Sequence, residues 1–393
     1  MEKEVRIKNT GLRGVTVADT KISFIDGENG ILIYRGYRIE ELAKSSSFVE
    51  TAYLLLNGSL PSREEFNKFN DQLTKARVLP DFLYKSFKKW PKDADPMDVL
   101  QAAVPLLAMT DRDLEDESRE ANVRKATRLI ARIPAIVAAW QRIRNELEPL
   151  APDDNLSHAA NFLWQLHGEK PDPQVARELD VCLLLHADHT FNASTFACRE
   201  VVSTKAHMYA GVAAGVGALS GSLHGGANAR VVKMIYEIES EKDLAGWVKD
   251  RLDRGERIMG MGHAVYKTTD PRAIILKKTS EKLGKQAGNE DWYKLLSKIE
   301  ELAVKEFESR GKSTIKPNVD FYSGSVYHML GIPTDLMTPM FAIARISGWC
   351  AHIIEEKFAE AQEKPALYRP KAEYVGEYCG VVGCEYHPPE ERS

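Results

Sequence analysis

The segment SLHGGAN at residues 222–228 places a histidine, His224, between a charge-free apolar stretch and two glycines. Two further segments have a similar character: GMGHAVYKTTDPR at 260–272 contains His263, and KPNVDFYSG at 316–324 contains Asp320. Two histidines and one carboxylate beside glycines can remove a proton from carbon next to a thioester and stabilise the carbanion that results. These three segments therefore predict an enzyme.

The composition is that of a globular protein with a large core. The chain has 393 residues, of which 44% are hydrophobic, and this length allows two or three domains. A net charge of -4 argues against a nucleic-acid surface, which usually carries a basic excess. The start MEKEVRIKN shows no signal sequence, and five cysteines fit a reducing compartment, so we expect a cytoplasmic location. A pairing of Cys379 with Cys384 stays open.

The stretch 206–229 lacks Asp, Glu, Lys and Arg and superficially resembles a membrane helix. Six of its residues are glycines, and its serines and histidines make transfer into lipid unfavourable. We expect a tightly packed internal helix instead, in which missing side chains let backbones approach closely.

Most of the remaining sequence predicts helices. The exception is 21–36, where polar and apolar residues alternate around two Asx-Gly pairs, which indicates a small β-hairpin. Ser62 and Glu65 form a capping box, Pro96 opens a helix and Gly168 closes one. Helices are predicted over 117–144, 156–167, 174–210, 228–239, 243–254, 271–283, 292–309 and 339–360. The fold class is therefore all-α.

His224 is followed by Gly225, Gly226 and a helix that begins near Asn228. Backbone N–H groups and the positive end of that helix dipole would keep the imidazole neutral, so that it could donate a hydrogen bond to a developing enolate oxygen. A turn histidine satisfied by the backbone is the ordinary alternative.

The second segment combines glycines with basic side chains. Gly260 and Gly262 would let a flat ligand approach the backbone, Lys267 could meet a phosphate, and Arg272 could bind a carboxylate through two hydrogen bonds. The third glycine of a dinucleotide-binding fingerprint is missing, which argues against a Rossmann site. Asp270 and Arg272 could also serve only to cap the next helix.

Asp320 has apolar neighbours, and desolvation would raise its pKa towards neutrality, where a general base is useful. A helix N-cap is the structural alternative for this residue. His186 and His189 lie on adjoining turns of the predicted helix 174–210, but no further ligand completes a set around them. We therefore expect no metal site.

Taken together, these segments resemble the citrate synthase family. The resemblance covers essentially the whole chain and includes, besides the three segments above, ISFIDGENGILIYRGYRIEELA (22–43), HADHTFNASTFA (186–197), FAIARISGWCAH (341–352) and LYRPKAEYVG (367–376). It implies a transferase of the tricarboxylic acid cycle that condenses acetyl-CoA with oxaloacetate and water to give citrate and CoA, with no metal or other cofactor.

The resemblance also implies roles for single residues. Asp320 would remove a methyl proton from acetyl-CoA, His224 would stabilise the enol or enolate, and His263 would protonate the oxaloacetate carbonyl as the carbon–carbon bond forms. Oxaloacetate would be bound by His189, Asn192, Arg272, Arg345 and Arg369, the last donated by the partner subunit. CoA would be bound by Gly260, Met261, Gly262, Lys267, Lys312 and Lys316.

The implied fold is an almost wholly helical homodimer, and whether dimers assemble further stays open. A large domain (1–225 and 334–393) would form the dimer, and a smaller domain (226–333) would bind CoA and close over oxaloacetate. Neither nucleic acid nor a membrane is expected as a partner. The extra N-terminal domain of NADH-regulated relatives is missing from the sequence, so no NADH inhibition through such a domain is expected.

Three positions depart from the commonest family pattern: Ala229, Ala264 and Met337. They remove no catalytic group but leave the acyl preference open, because one methylene is worth only about 1 to 3 kcal/mol of discrimination. A 2-methylcitrate synthase that uses propionyl-CoA is therefore the main alternative. A non-catalytic CoA-binding relative is a weaker one.

Overall fold

The structure is a computed structural model that describes residues 11, 12, 14–376 and 383–391. The expected N-terminal hairpin is present and is extended by a third strand. Strands β1 (Ser23–Asp26), β2 (Ile31–Tyr34) and β3 (Tyr37–Arg38) form an antiparallel sheet in the order β1-β2-β3. Gly30, in the turn between β1 and β2, has a φ of 65°, which glycine adopts without strain.

Helices make up most of the rest of the described chain, which confirms the all-α class. The first nine are α1 (Ile39–Ser45), α2 (Phe48–Asn57), α3 (Arg63–Ala76), α4 (Asp81–Phe87), α5 (Pro96–Ala108), α6 (Arg119–Arg144), α7 (His158–His167), α8 (Pro173–His186) and α9 (Ala193–Ser203). The next seven are α10 (Met208–Ser220), α11 (Ala227–Ile238), α12 (Leu244–Asp253), α13 (Pro271–Ala287), α14 (Asp291–Ser309), α15 (Val319–Met329) and α16 (Met337–Lys357). Short 3-10 helices lie at Thr334–Leu336 and Pro389–Glu391.

Several helix ends follow the capping signals in the sequence. Ser62 and Glu65 form the capping box of α3, and Pro96 occupies the first turn of α5. Gly168, with a φ of 87°, closes α7 through its N–H bond to the Trp164 carbonyl. These three predictions are confirmed, because each depends only on residues within one turn of the helix end.

The single helix predicted over 174–210 is wrong: the chain forms α8, α9 and α10 there. Between α8 and α9, Thr190 takes a left-handed φ of 49°, and the Asn192 side chain accepts the N–H of Thr195 at 3.1 Å to cap α9. A left-handed residue and a new N-cap thus separate α8 from α9 in a stretch that contains neither Gly nor Pro. His186 and His189 consequently do not lie on adjoining turns of one helix.

Helix α10 is the closely packed helix expected within the charge-free stretch. A Cβ on Gly211 would lie 2.7 Å from Val202 Cγ1, and one on Gly215 would collide with Cys198 Sγ, both on α9. The helix ends at Ser220, so that residues 221–226 form a separate loop around His224. None of the described helices combines the length and apolar character that a membrane span requires.

Helix α16 passes through the interior and is almost entirely buried. It contacts α2, α6, α8, α9 and α10, whereas α11 to α15 pack largely against one another. Helix α13 also touches α1 and α8. The loops at the ends of α8, α10 and α12 and the first turn of α15 meet beside α16, and they carry the predicted site.

The pairing of Cys379 with Cys384, which the sequence leaves open, falls partly outside the described residues, because Cys379 is not among them. Of the described cysteines, Cys182, Cys198 and Cys350 are free and buried.

Candidate active site

His224 is held by the first turn of α9. Its Nε2 lies 2.8 Å from Ser194 Oγ and accepts the Ser194 backbone N–H at 3.3 Å. A backbone N–H can only donate, so we assign the ring proton to Nδ1, which is left as a donor for a ligand. Burial, with the nearby charge of Arg345, lowers the pKa of His224 to about 4. The ring is therefore neutral at pH 7, as expected, but the N–H that orients it belongs to α9 and not to the helix that follows it.

His263 is oriented by its own loop. Its Nδ1 accepts the backbone N–H groups of Val265 at 2.9 Å and Tyr266 at 3.2 Å, which places the ring proton on Nε2. Burial, with the charge of Arg272, lowers its pKa to about 4. His263 is thus a second neutral donor at pH 7, with the opposite tautomer to His224.

The loop of His263 is fixed against the N-terminal hairpin. The backbone N–H of Lys267 donates to the Gly27 carbonyl at 2.9 Å, and any Cβ on Gly27 would collide with the Val265 carbonyl. The hairpin turn therefore needs glycine at this position so that the histidine loop can approach.

Asp320 lies in the first turn of α15. Asn318 is the N-cap of this helix, and its side chain accepts the Asp320 N–H at 2.9 Å, so Asp320 itself is not the cap. Burial raises the pKa of the Asp320 carboxyl to about 6, although the charge of Arg272 opposes this. The carboxyl is therefore mostly ionised at pH 7 but remains a stronger base than an exposed aspartate.

Two buried arginines supply positive charge close to these groups. Arg345 on α16 donates from Nε to the His186 carbonyl at 2.9 Å, while its Nη1 and Nη2 are buried without a partner in the described structure. Burial lowers the pKa of Arg345 to about 10. Two parallel N–H donors at the end of a guanidinium fit a carboxylate, so this edge is an anion receptor.

Arg272 is arranged differently. Its Nε and Nη2 bind the Asp270 carboxylate at 3.0 and 2.7 Å, and the pair is buried. Asp270 also caps α13 by accepting the Arg272 N–H at 3.0 Å. The capping interpretation and the charged one therefore both hold, and Asp270 occupies the edge of the Arg272 guanidinium that Nε and Nη2 form. Only the remaining N–H groups of Arg272 can donate hydrogen bonds to a ligand.

His189 lies beside His263 in the loop after α8. The two rings are 5.2 Å apart, and His189 Nε2 lies 3.4 Å from the Tyr266 hydroxyl. Burial and the charge of Arg272 hold the pKa of His189 well below its usual range. Asn192 is nearby, but its side chain is used to cap α9.

The structure does not bring every predicted residue into this cluster. Arg369 is exposed in the irregular C-terminal arm (358–376). Tyr266 and Ser194 belong to the site, but sequence reasoning missed them. Each lies next to a quoted histidine motif, yet its contact depends on the fold. In the described residues, no group of three or more His, Cys, Asp or Glu side chains could hold a metal ion.

The turn at 260–262 has the glycine backbone expected of a close approach, but much of that backbone is hydrogen-bonded within the protein, including the Gly260 and Gly262 carbonyls, which accept from Asn318. Gly260 and Gly262 have φ of 78° and 84°, and a Cβ on Gly260 would lie 2.7 Å from Phe321 Cα. Gly262 donates its N–H to the Lys316 carbonyl at 2.8 Å. Only glycine fits this conformation and this approach.

A cavity of about 430 Å³ borders the turn, and Met261, Gly262 and His263 line it. Lys312 and Arg257 bring positive charge to its rim; Arg257 was not predicted from the sequence. Lys267 and Lys316 do not belong to this lining. They form ion pairs with Glu28 and Glu308, respectively.

The chain is similar to known proteins over nearly its whole length. A family model described as citrate synthase, C-terminal domain, matches residues 11–371. A citrate synthase of Haloferax volcanii is 45% identical over 97% of this chain and 98% of its own length. A citrate/2-methylcitrate synthase of Bacillus subtilis is 37% identical over 93% of this chain and 96% of its own length. The crystal structure of citrate synthase from Pyrobaculum aerophilum has a TM-score of 0.89 and 37% identity, covering 100% of both chains.

Proposed function

The chain belongs to the citrate synthase family and is an enzyme that condenses acetyl-CoA with oxaloacetate to citrate, and we propose that Asp320, His224 and His263 carry the reaction. The observation that supports this most is the Arg345 guanidinium, whose Nη1 and Nη2 are buried without a partner next to neutral histidines and a basic carboxylate. Buried N–H groups of a cation that lack a hydrogen-bond partner are costly, so such a group is typical of a site that receives an anion.

Oxaloacetate is the anion in this proposal. One carboxylate binds the end of Arg345, and the free N–H groups of Arg272 meet the other. Arg369 of a partner subunit adds a third guanidinium. His189 lies 5.2 Å from the His263 ring, close enough for both to face one small ligand. The Nε2–H of His263 hydrogen-bonds the ketone oxygen and so makes the carbonyl carbon more electrophilic.

Asp320 then removes a proton from the methyl group of acetyl-CoA. The Nδ1–H of His224 hydrogen-bonds the thioester oxygen and stabilises the enol or enolate. The enolate carbon attacks the ketone carbon, the carbonyl double bond opens, and the Nε2 proton of His263 moves to the new alkoxide. The proton that Asp320 took from the methyl group then returns to His263, so that both groups regain their starting states. Water then hydrolyses the citryl-CoA thioester and releases citrate and CoA.

The CoA part of the substrate is proposed to lie in the cavity beside 260–262. Met261 and Gly262 of the turn line the cavity and would let a flat ring approach closely, and Lys312 and Arg257 offer charge to phosphates. The predicted contacts at Lys267 and Lys316 would require their present ion pairs to open. We keep both as predictions and add Arg257 as a candidate.

Residues 226–333 are proposed to form a small domain that closes over oxaloacetate, with 1–225 and 334–393 forming a large domain and a homodimer. Helices α11 to α15 pack largely against one another, which supports this division. A cytoplasmic location also stays a prediction.

Initial rates of CoA-thiol release test the proposal. Oxaloacetate is combined with acetyl-CoA or propionyl-CoA, and the two kcat/KM values are compared. A preference for acetyl-CoA supports citrate synthase; a preference for propionyl-CoA supports the 2-methylcitrate alternative, which the Bacillus subtilis relative keeps open. Asp320→Asn should abolish turnover while oxaloacetate binding, measured by calorimetry, persists. An active Asp320→Asn variant would remove Asp320 from the role of base.

A further inference from the structure

Tyr368 anchors the C-terminal arm to its own chain. Its hydroxyl donates to Glu356 Oε2 at 2.9 Å, and its backbone N–H donates to Ser203 Oγ at 3.3 Å. Its ring meets Phe196 edge-on, with centroids 5.4 Å apart. Three different contacts therefore fix one residue of an otherwise irregular segment.

The acceptor of the Tyr368 hydroxyl, Glu356, is itself held in a buried ion pair. Glu356 Oε2 lies 2.6 Å from Arg199 Nη2, and both side chains are fully buried on α16 and α9. Arg199 also binds Glu355 at 2.8 Å and lies over the Phe191 ring at 4.4 Å. A hydrogen bond to a charged, buried and paired carboxylate holds its donor more firmly than a bond to a mobile surface group.

The next residue along the chain is Arg369, which is exposed, and Pro370 follows it. A residue that precedes proline is restricted to extended backbone, and successive side chains of an extended segment point to opposite sides. The inward anchoring of Tyr368 therefore directs Arg369 outward, away from its own chain.

We propose that Tyr368 is a positioning residue that sets where Arg369 enters the oxaloacetate site of the partner subunit. This inference rests on the proposed function, in which Arg369 crosses between subunits. Loss of the hydroxyl frees the arm around its anchor, so Tyr368→Phe should raise the KM for oxaloacetate about five- to tenfold. The kcat at saturating oxaloacetate and the KM for acetyl-CoA should stay within about twofold, because Asp320 and His224 are unchanged.

A second route could link Tyr368 to the site of its own subunit. Arg199 Nη1 lies 3.1 Å from His352 Nδ1, and His352 Nε2 lies 3.3 Å from Asp188, the neighbour of His189. Substitution of Tyr368 could therefore disturb oxaloacetate binding within one chain. The two routes predict opposite results in mixed dimers, in which only one of the two sites is active.

Mixed dimers with two different affinity tags separate the routes. In the first, one subunit carries Asp320→Asn and Tyr368→Phe together, and the other is unaltered. The working site then receives its arm from the altered subunit, and we expect the raised KM. In the second, one subunit carries Asp320→Asn and the other Tyr368→Phe. The working site then receives an unaltered arm, and we expect the KM of the wild type.

The reverse pattern, an equal rise in both mixed dimers, or no rise in either would overturn the inference. Arg369→Ala, tested in the same two arrangements, is the reference. If Arg369→Ala impairs only its own subunit's site, then the crossing fails and so does that part of the proposed function. If Arg369→Ala acts across subunits but Tyr368→Phe does not, only the role of Tyr368 is refuted. Tyr37→Phe on the exposed edge of β3 controls for loss of a tyrosine hydroxyl elsewhere.

Discussion

Asp320→Asn should stabilise the folded protein while it abolishes turnover. The folded protein raises the pKa of this carboxyl from 3.8 to about 6, mainly by burial. The difference corresponds to about 3 kcal/mol of preference for the neutral form. Asparagine resembles that neutral form in shape and carries no charge. The variant should therefore escape the cost of burying a carboxylate.

The sign of the effect depends on pH. Below pH 3.8 the carboxyl is protonated in both the folded and the unfolded chain, so its ionisation does not lower the free energy of unfolding. Between 3.8 and about 6 the unfolded chain loses its proton first, and the stability of the wild type falls as pH rises. Above pH 6 the carboxyl is ionised in both states, and the full cost of burying the carboxylate lowers the free energy of unfolding. The advantage of the asparagine variant should be about 1.5 kcal/mol at pH 5 and about 3 kcal/mol at pH 7.5.

Urea unfolding at pH 5 and pH 7.5, followed by circular dichroism, measures this difference for wild type and variant. In a thermal melt, about 3 kcal/mol corresponds to roughly 3 to 4 °C for a chain of this length. An advantage that is equal at the two pH values would mean that ionisation of Asp320 is not its source. A less stable variant at pH 7.5 would refute the claim that burial dominates its pKa.

Three other predictions use the same site and core. The kcat/KM should fall as pH drops through about 6, because Asp320 takes up a proton, and a pH–rate profile should show no further step above pH 5 from His224, whose pKa is about 4. Arg345→Lys should raise the KM for oxaloacetate at least about 100-fold, since an ammonium lacks the two parallel donors; a change below tenfold would argue against carboxylate binding there. Gly215→Ala should lower the free energy of unfolding by about 1 to 3 kcal/mol in urea titrations, because its Cβ would meet Cys198 Sγ; unchanged stability would mean that α9 and α10 can separate easily.

The sequence predicts the chemistry of this site well because each chemical signal is local. Asp320 stands among apolar residues, and the structure confirms that burial raises its pKa. His224 next to two glycines suggested a neutral imidazole, and its pKa is indeed lowered. Capping boxes and glycine caps were equally readable, since all their atoms come from one turn of helix.

Contacts between distant segments were not readable. Ser194 orients His224 across 30 residues of sequence, and Lys267 pairs with Glu28 across 239. The sequence gives the charge of Lys267 but not the partner that is nearest to it after folding. The sequence therefore predicts a phosphate contact for Lys267, whereas Arg257, which precedes the same glycine turn and has no predicted role, lines the cavity.

The break between α8 and α9 explains why the helical interpretation of this region missed the site's geometry. In one continuous helix over 174–210, His186 and His189 would lie about one turn apart on the same face. Ending α8 at His186 instead leaves its carbonyl free to accept Arg345 Nε, and the loop that follows turns His189 towards His263. The same interruption thus orients both Arg345, the proposed ligand of a substrate carboxylate, and His189.

Burial shifts the pKa values of two charged groups in this site, Arg345 and Asp320, in opposite directions. It lowers the pKa of Arg345 to about 10 and raises that of Asp320 to about 6, so each is pushed towards neutrality. A carboxylate ligand relieves the cost at Arg345, because it supplies the missing acceptor for Nη1 and Nη2. The cost at Asp320 is not relieved by such a ligand, since both are negative, and it persists until the carboxylate takes a proton. In the proposed mechanism, the electrostatic cost that remains after oxaloacetate binds is therefore located on Asp320, the proposed base.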